Sequence, residues 1–148
     1  MDHYDNRILQ LLSGNSRITG ADIARKVNLS LPAVTERLRK LDRSGYIDRY
    51  TIKMNRQKLG ITILAFIQVW IDHSKGATNL DIITALHEVL ECHHVAGDYD
   101  LLLKVVVKDT AALEELLVKK IKGIKSVTRT STTIILSTYK EEINIKNF

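Results

Sequence analysis

Apolar residues recur at helical spacing through the first third of the chain and at strand spacing over much of the rest. Ile8, Leu9, Leu11 and Leu12 line one side of a first helix that Asp2 or Asp5 can start and "SGNS" interrupts. Thr19 and Asp22 have capping-box spacing, with Asp where Glu or Gln is usual, ahead of a short second helix bearing Ile23, Ala24 and Val27. After a tight Asn28-Leu29 connection, Ser30 is placed to cap a third helix that runs to about Arg43 and stops at Gly45. Pro32, the only proline, then falls in the first turn, where amides lack intrahelical partners and a fixed φ favours the start. At roughly 100° per residue, Val34, Leu38 and Leu41 form an inner stripe with Leu31 at its edge. Pro32, Ala33, Glu36, Arg39, Lys40 and Arg43 lie opposite, and Thr35 and Arg37 mark the boundaries.

Beyond residue 60 the pattern changes. "GITILAFIQVWID" is too continuous for an amphipathic helix and reads as a strand. "NLDIITALHEVLE" places Leu80, Ile83, Leu86, Val89 and Leu90 at helical spacing. "CHHVAGDYDLLLKVVVKD" reads as strand, tight turn at Gly97-Asp98, and strand. "TAALEELLVKKIKG" reads as a helix capped by Thr110 and stopped by Gly123, and "VTRTSTTIILSTYK" as a last strand. The order βαββαβ is the split ferredoxin-like unit, so the chain is α+β. In the first of these strands Ile61, Ile63, Ala65, Ile67, Val69 and Ile71 point one way, and Leu64, Phe66 and Trp70 the other. Helices cover only one face of such a sheet, so the apolar second face predicts a partner sheet and a homodimer. The expected division is 1–45 for a helix-turn-helix domain, 46–60 for a linker strand, 61–140 for the ferredoxin-like domain and 141–148 for a loosely held tail.

Composition narrows the function. At 45% hydrophobic and 26% charged residues the chain is too apolar for disorder. No run approaches the roughly 18 apolar residues of a membrane span, and the polar start lacks a secretory pattern. A single cysteine, Cys92, excludes an internal disulfide and suits a reducing cytoplasm. Residues 1–60 hold 12 of the 22 basic and 6 of the 17 acidic side chains, so they carry +6 while the remainder carries −1. That asymmetry suggests a polyanion-binding module joined to something with another task.

A helix, a short turn and a second helix with a basic outer face suit a double-stranded DNA reader, because such a helix fits a major groove about 12 Å wide. Arg39 is then the guanine-type contact, Glu36 an acceptor from cytosine, and Thr35 a contact to a base or a methyl group. Ala33 and Pro32 allow close approach beside Ser30. Arg37, Lys40 and Arg43 are placed for phosphates, with Arg17, Arg25 and Lys26 as further candidates. "CHH" (Cys92, His93, His94) makes no metal site, because adjacent strand residues alternate between faces. Asp98 and Asp100 have no nucleophile, phosphate loop or further ligand beside them, so no catalytic set is recognisable and no enzyme is expected.

Asp5, Ile8-Leu9, Arg17, Ile23-Ala24, Leu29-Ser30, Val34, Arg37, Leu41, Gly45 and Ile47 together resemble the winged helix-turn-helix half of the Lrp/AsnC (leucine-responsive, or feast/famine) family. The second half resembles that family's amino-acid-metabolism regulatory (RAM) domain, with its "GDYD" turn at Gly97-Asp98-Tyr99-Asp100. The resemblance implies a transcriptional regulator that dimerises through the sheet domain and assembles further, commonly into octamers. It also implies an amino-acid effector at a dimer–dimer contact, held by Gly97, Asp98, Tyr99 and Asp100 with hydroxyls from Thr130, Ser131, Thr132 and Thr133 nearby. No other cofactor is implied. Position 96 is alanine where the family often has threonine. A DNA-compacting architectural protein would use the same basic residues with little sequence preference, and a small enzyme on a ferredoxin-like scaffold is the third class.

Overall fold

The computed structural model describes residues 1–75 and 80–145. The chain divides into two compact units, one of Met1–Lys53 joined by the segment beginning at Lys140, the other of Met54–Tyr139.

The first unit contains α1 (His3–Gly14), α2 (Gly20–Val27) and α3 (Leu31–Arg43). Each begins at the residue whose side chain can accept a first-turn amide. Asp2 caps α1 in a reciprocal box: its carboxylate accepts from the Asp5 N–H at 2.9 Å, and Asp5 accepts from the Asp2 N–H at 3.1 Å. Thr19 accepts from the Asp22 N–H (3.1 Å), and Ser30 from the Ala33 N–H (3.4 Å). Pro32 sits in the first turn of α3, where it removes no helical hydrogen bond. Ile8, Ile23, Ala24, Val27, Val34 and Leu41 form the buried core.

One charge lies inside that core. Asp5 is 1% exposed. The Arg37 guanidinium donates to Asp5 and to Asp2 at 2.7 Å each and rests 5.2 Å from the centroid of the Tyr4 ring. Burial opposes ionisation of Asp5, yet the Asp2 amide and the Arg37 guanidinium outweigh it and hold the carboxyl below its ordinary pKa of 3.8.

The second unit is a four-stranded antiparallel sheet in the order β2-β3-β1-β4, with β1 at Ile63–Ile71, β2 at Val89–His94, β3 at Leu101–Val107 and β4 at Val127–Ile134. This is the ferredoxin-like arrangement. Ala65, Ile67, Val69 and Ile71 pack with Leu101, Leu103, Val105 and Val107 under α4 (Leu80–Thr84) and α5 (Thr110–Glu115). Strand register puts Leu64, Phe66, Gln68 and Trp70 on the other face, beside Leu102, Lys104 and Val106 of β3 and Arg129, Ser131 and Thr133 of β4.

Four expectations need correction. The helix expected over 79–91 ends at Thr84, and its start at Asn79 lies outside the described residues. Val89 and Leu90 belong to β2: Val89 pairs with Val105, the Glu88 carbonyl accepts from the Val106 N–H (2.9 Å), and a bulge after Val89 leaves Leu90 exposed. Short apolar runs suit either period, and here sheet pairing wins. The α5 cap is Asp109, not Thr110, because a carboxylate is the stronger acceptor at a helix start; it takes the Ala112 N–H at 2.8 Å. From Leu116 to Ile121 the helix widens into π geometry, and at Gly123 a Cβ would lie 2.7 Å from the Lys119 carbonyl.

The remaining two corrections concern 46–60 and the tail. The strand expected within 46–60 does not form, since no edge of the chain pairs with it; a 3-10 turn at Gln57–Leu59 appears instead, ended by Gly60 in the left-handed region. Nor is the tail loose at its start. Lys53 donates to the Glu141 carbonyl at 2.8 Å and pairs with its carboxylate at 3.1 Å, while 146–148 lie outside the described residues.

Substituting Arg37→Met should destabilise the helical unit by about 2–3 kcal/mol, the scale of charge-assisted bonds to a buried group, read from urea unfolding followed by helical circular dichroism. The Asp5 carboxyl has a folded-state pKa below its unfolded one. Its contribution is therefore complete above about pH 4 and is lost as pH falls through the lower folded value. Asp5→Asn should flatten that acid limb of the stability curve.

Candidate nucleic-acid interface and effector turn

The α2–α3 connection is a three-residue turn built by Asn28, Leu29 and Ser30. Asn28 adopts the left-handed conformation (φ 56°), which short polar side chains tolerate, and the Leu29 N–H reaches back to the Ala24 carbonyl at 3.0 Å. Gly20 brings the two helix starts together, since a Cβ there would lie 3.1 Å from Leu31 Cδ1. At the far end, Gly45 (φ 73°) and the Tyr46 N–H, bonded to the Leu41 carbonyl at 3.1 Å, close α3.

With Val34 and Leu41 buried, α3 keeps one free side. Ser30, Pro32, Glu36, Arg39, Lys40 and Arg43 are exposed there, and Ala33 and Thr35 are half-buried at its margin. The Thr35 hydroxyl donates to the Leu31 carbonyl (2.9 Å), so it faces any ligand as an acceptor. Arg39 lies 3.8 Å from Glu36, both well exposed, a pairing weak enough to exchange for a stronger anion. Lys40 and Arg43 have no ion pair among the described residues, nor have Arg17 and Lys26 of the same unit. Arg25 is engaged by Asp22.

Arg37 departs from the expectation of a phosphate contact. It is only 26% exposed and its guanidinium is committed to Asp2 and Asp5. Little in the sequence signals this, because Asp2 and Asp5 at that spacing already serve as the capping box of α1.

The Gly97–Asp100 turn is wider than a two-residue hairpin, closed by a bond from the Val95 N–H to the Asp100 carbonyl (3.0 Å). Asp100 fastens it to the sheet. Its N–H donates to the Val69 carbonyl at 3.0 Å, and its carboxylate accepts from the Ile71 N–H at 2.7 Å and faces His73 Nε2 at 3.3 Å. The Ile71 amide foremost, with His73 behind it, draws the Asp100 pKa below the ordinary value. Tyr99 stands edge-on to Trp70 (5.8 Å between centroids), whose ring also carries Arg129 at 4.4 Å. Asp98 and Gly97 are exposed, and Asp98 has no partner among the described residues. His73 escaped the sequence reading; a histidine two residues past a strand end carries no motif.

The four β4 hydroxyls do not converge on this turn within one chain. Thr130 and Thr132 stand opposite Val69 and Ile67, whereas Ser131 and Thr133 stand opposite Gln68 and Phe66 on the other face. Strand β1 also lies between β4 and β3, which sets β4 roughly 10 Å from the turn's strand. Thr130 is the nearest in register, sharing Val69 with Asp100. Around "CHH", Cys92 packs toward the core, where burial pushes its thiol pKa up, while His93 leans on Glu91 at 3.3 Å on the opposite face. No group of three His, Cys, Asp or Glu among the described residues is arranged to hold a metal ion.

Residues 64–145 match the family model of the Lrp/AsnC ligand binding domain, and residues 1–48 match a winged helix-turn-helix DNA-binding model. The proline dehydrogenase transcriptional activator of Rhizobium radiobacter is 35% identical over 144 residues, covering 95% of this chain and 92% of its own. The leucine-responsive regulatory protein of Escherichia coli K12 is 32% identical over 146 residues, covering 95% and 88%. Among solved structures, E. coli AsnC aligns at a TM-score of 0.91 and 28% identity over 99% of this chain and 98% of that one. A Neisseria meningitidis transcriptional regulator solved as an L-Met complex shares the fold at a TM-score of 0.92, with 24% identity over 98% and 96% of the two chains.

Asp98→Asn should leave thermal stability within about 0.5 kcal/mol of the parent, as for exposed sites. Asp100→Asn should lower the melting temperature measurably, because it removes a charged acceptor from the Ile71 amide. Thermal unfolding of the two variants side by side distinguishes them.

Proposed function

Because the chain belongs to the Lrp/AsnC family of DNA-binding transcriptional regulators, we propose that it reads duplex DNA sequence-specifically through the outer side of α3 and answers to a free amino acid held at the Gly97–Asp100 turn. The observation that carries the first half is the division of α3 itself. Val34 and Leu41 are buried, while Arg39, Lys40 and Arg43 stand exposed beside a small, rigid N-terminal end. Arg39 presents a planar fork suited to guanine O6 and N7, with Glu36 and Thr35 as neighbouring acceptors. Lys40 and Arg43 hold the helix to the phosphates on either side. Arg37 has no part in contact; it positions α3 against α1.

For the effector, the assignment of charges follows from which oxygens are free. Both Asp100 oxygens already have partners, so Asp98 is the group for an α-ammonium, and the turn's exposed amides suit an α-carboxylate. The match to a ligand-binding family model supports this reading. The hydroxyls of Thr130, Ser131, Thr132 and Thr133 join such a site only where a second copy brings its β4 alongside. The second sheet face, with half-buried Phe66, Trp70 and Leu102, is the surface through which two copies pair, and dimers assemble further toward an octamer. Residues 1–45 then act as the reader and 61–140 as the regulatory and dimerising part, working on DNA in the cytoplasm.

Selection of bound duplexes from a random pool, followed by titration at several salt concentrations, tests the reader. Arg39→Ala should relax preference at one base position by about 1–3 kcal/mol, while Lys40→Ala should weaken all sequences alike and reduce the salt slope by about 1. Equal losses on every sequence for both variants would remove the assigned roles. Asp98→Asn should abolish any amino-acid-dependent change in DNA affinity or assembly mass without altering DNA binding in its absence.

A further inference from the structure

The Met54–Tyr139 unit carries a polar cavity at the opposite end of the sheet from the Gly97–Asp100 turn, beside the start of β1 and the end of β4. Its volume is about 330 Å³, within the range of small-ligand clefts. Three local structures build the wall. The 3-10 turn at Gln57–Leu59 contributes Gln57 and, just before it, Arg56, whose carbonyl accepts from the Leu59 N–H (3.1 Å) and the Ile61 N–H (2.9 Å). Thr62 follows, its hydroxyl tied to the Lys108 carbonyl at 2.6 Å. A bond from the Ile135 N–H to the Leu64 carbonyl (2.9 Å) then carries Ser137 and Thr138 to the rim.

The chemistry of this wall is one-sided. Arg56 is half-buried, and among the described residues its guanidinium has neither an ion pair nor a hydrogen bond. The side chains of Gln57, Ser137 and Thr138 have no partner among the described residues either, and none of those residues brings a carboxylate to the cavity. The other half-buried Lys and Arg side chains among the described residues are paired: Arg37 with two aspartates, Lys120 with Glu88, and Lys104 with Glu91. A guanidinium stays charged at any ordinary pH, and its planar fork matches two oxygens of an oxyanion, with amide and hydroxyl donors to complete the shell. We propose that this cavity is a binding site for a phosphate-class oxyanion, held by Arg56 with Gln57, Ser137 and Thr138. The ligand is either a free phosphate or phosphate ester, or a backbone phosphate of bound duplex.

The test uses the full chain without DNA, titrated with inorganic phosphate while chloride holds the ionic strength constant. The parent should show a saturable rise in melting temperature and saturable movement of the Ser137 and Thr138 amide resonances. In Arg56→Gln the phosphate affinity should fall at least tenfold, with the melting temperature in chloride unchanged. Absence of a saturable response in the parent overturns the proposal, and so does an equal response in Arg56→Gln, which would place the anion on the basic helices instead. A DNA arm separates the two sources. Loss of the phosphate response with an unchanged salt slope for duplex binding supports a free ligand, whereas loss with a slope reduced by about 1 supports a backbone phosphate.

Discussion

The reading head is held in place by a buried carboxylate. Asp5 lies within the helical core and is ionised there because the Asp2 amide and the Arg37 guanidinium meet it. Since Arg37 belongs to α3 and Asp5 to α1, this contact fixes the rotation of α3 about its own axis. A helix with only two fully buried apolar residues and a half-buried one at Leu38 has a narrow stripe, and hydrophobic burial alone specifies its rotation loosely. A charge pair with defined geometry specifies it tightly, at some cost in desolvation. The outcome is that Arg39, Lys40 and Arg43 face outward together. Leaving Asp5 without its partner is costly, so the pair is a constraint on orientation more than a source of net stability.

The sheet unit solves a different problem. One face is closed by α4 and α5 and is almost wholly aliphatic. The other mixes Leu64, Phe66, Trp70 and Val106 with Lys104, Gln68 and Arg129. Its charged members are already occupied, Lys104 by Glu91 and Arg129 by the Trp70 ring, which lets an apolar surface carry charges without stranding them. Asp100 then couples this sheet to its connecting loop through bonds to Val69 and Ile71, so the turn sits on the central strand rather than on an edge.

Much of this was legible in the chain. Ser30 followed by Pro32 locates the start of α3 to the residue, because cap chemistry and the missing proline amide both point to one register. The element order βαββαβ followed from apolar spacing together with strand-forming composition and turn residues. What escaped did so for identifiable reasons. The segment from Leu86 to Leu90 fits both periods, and only pairing with β3 decides it. Asp109 and Thr110 both have cap chemistry, and electrostatics at the helix start chooses the carboxylate. Arg37 lies at the edge of a helical wheel, and its inward turn depends on acidic residues more than thirty positions earlier. The β4 hydroxyls look contiguous in sequence, yet strand alternation sends them to opposite faces.

The tie between Lys53 and Glu141 has a consequence for biosynthesis. Every strand of the sheet lies between the two partners in sequence, so this tie cannot form until the whole sheet has been synthesised, whereas the three-helix core needs no residue beyond Ile47.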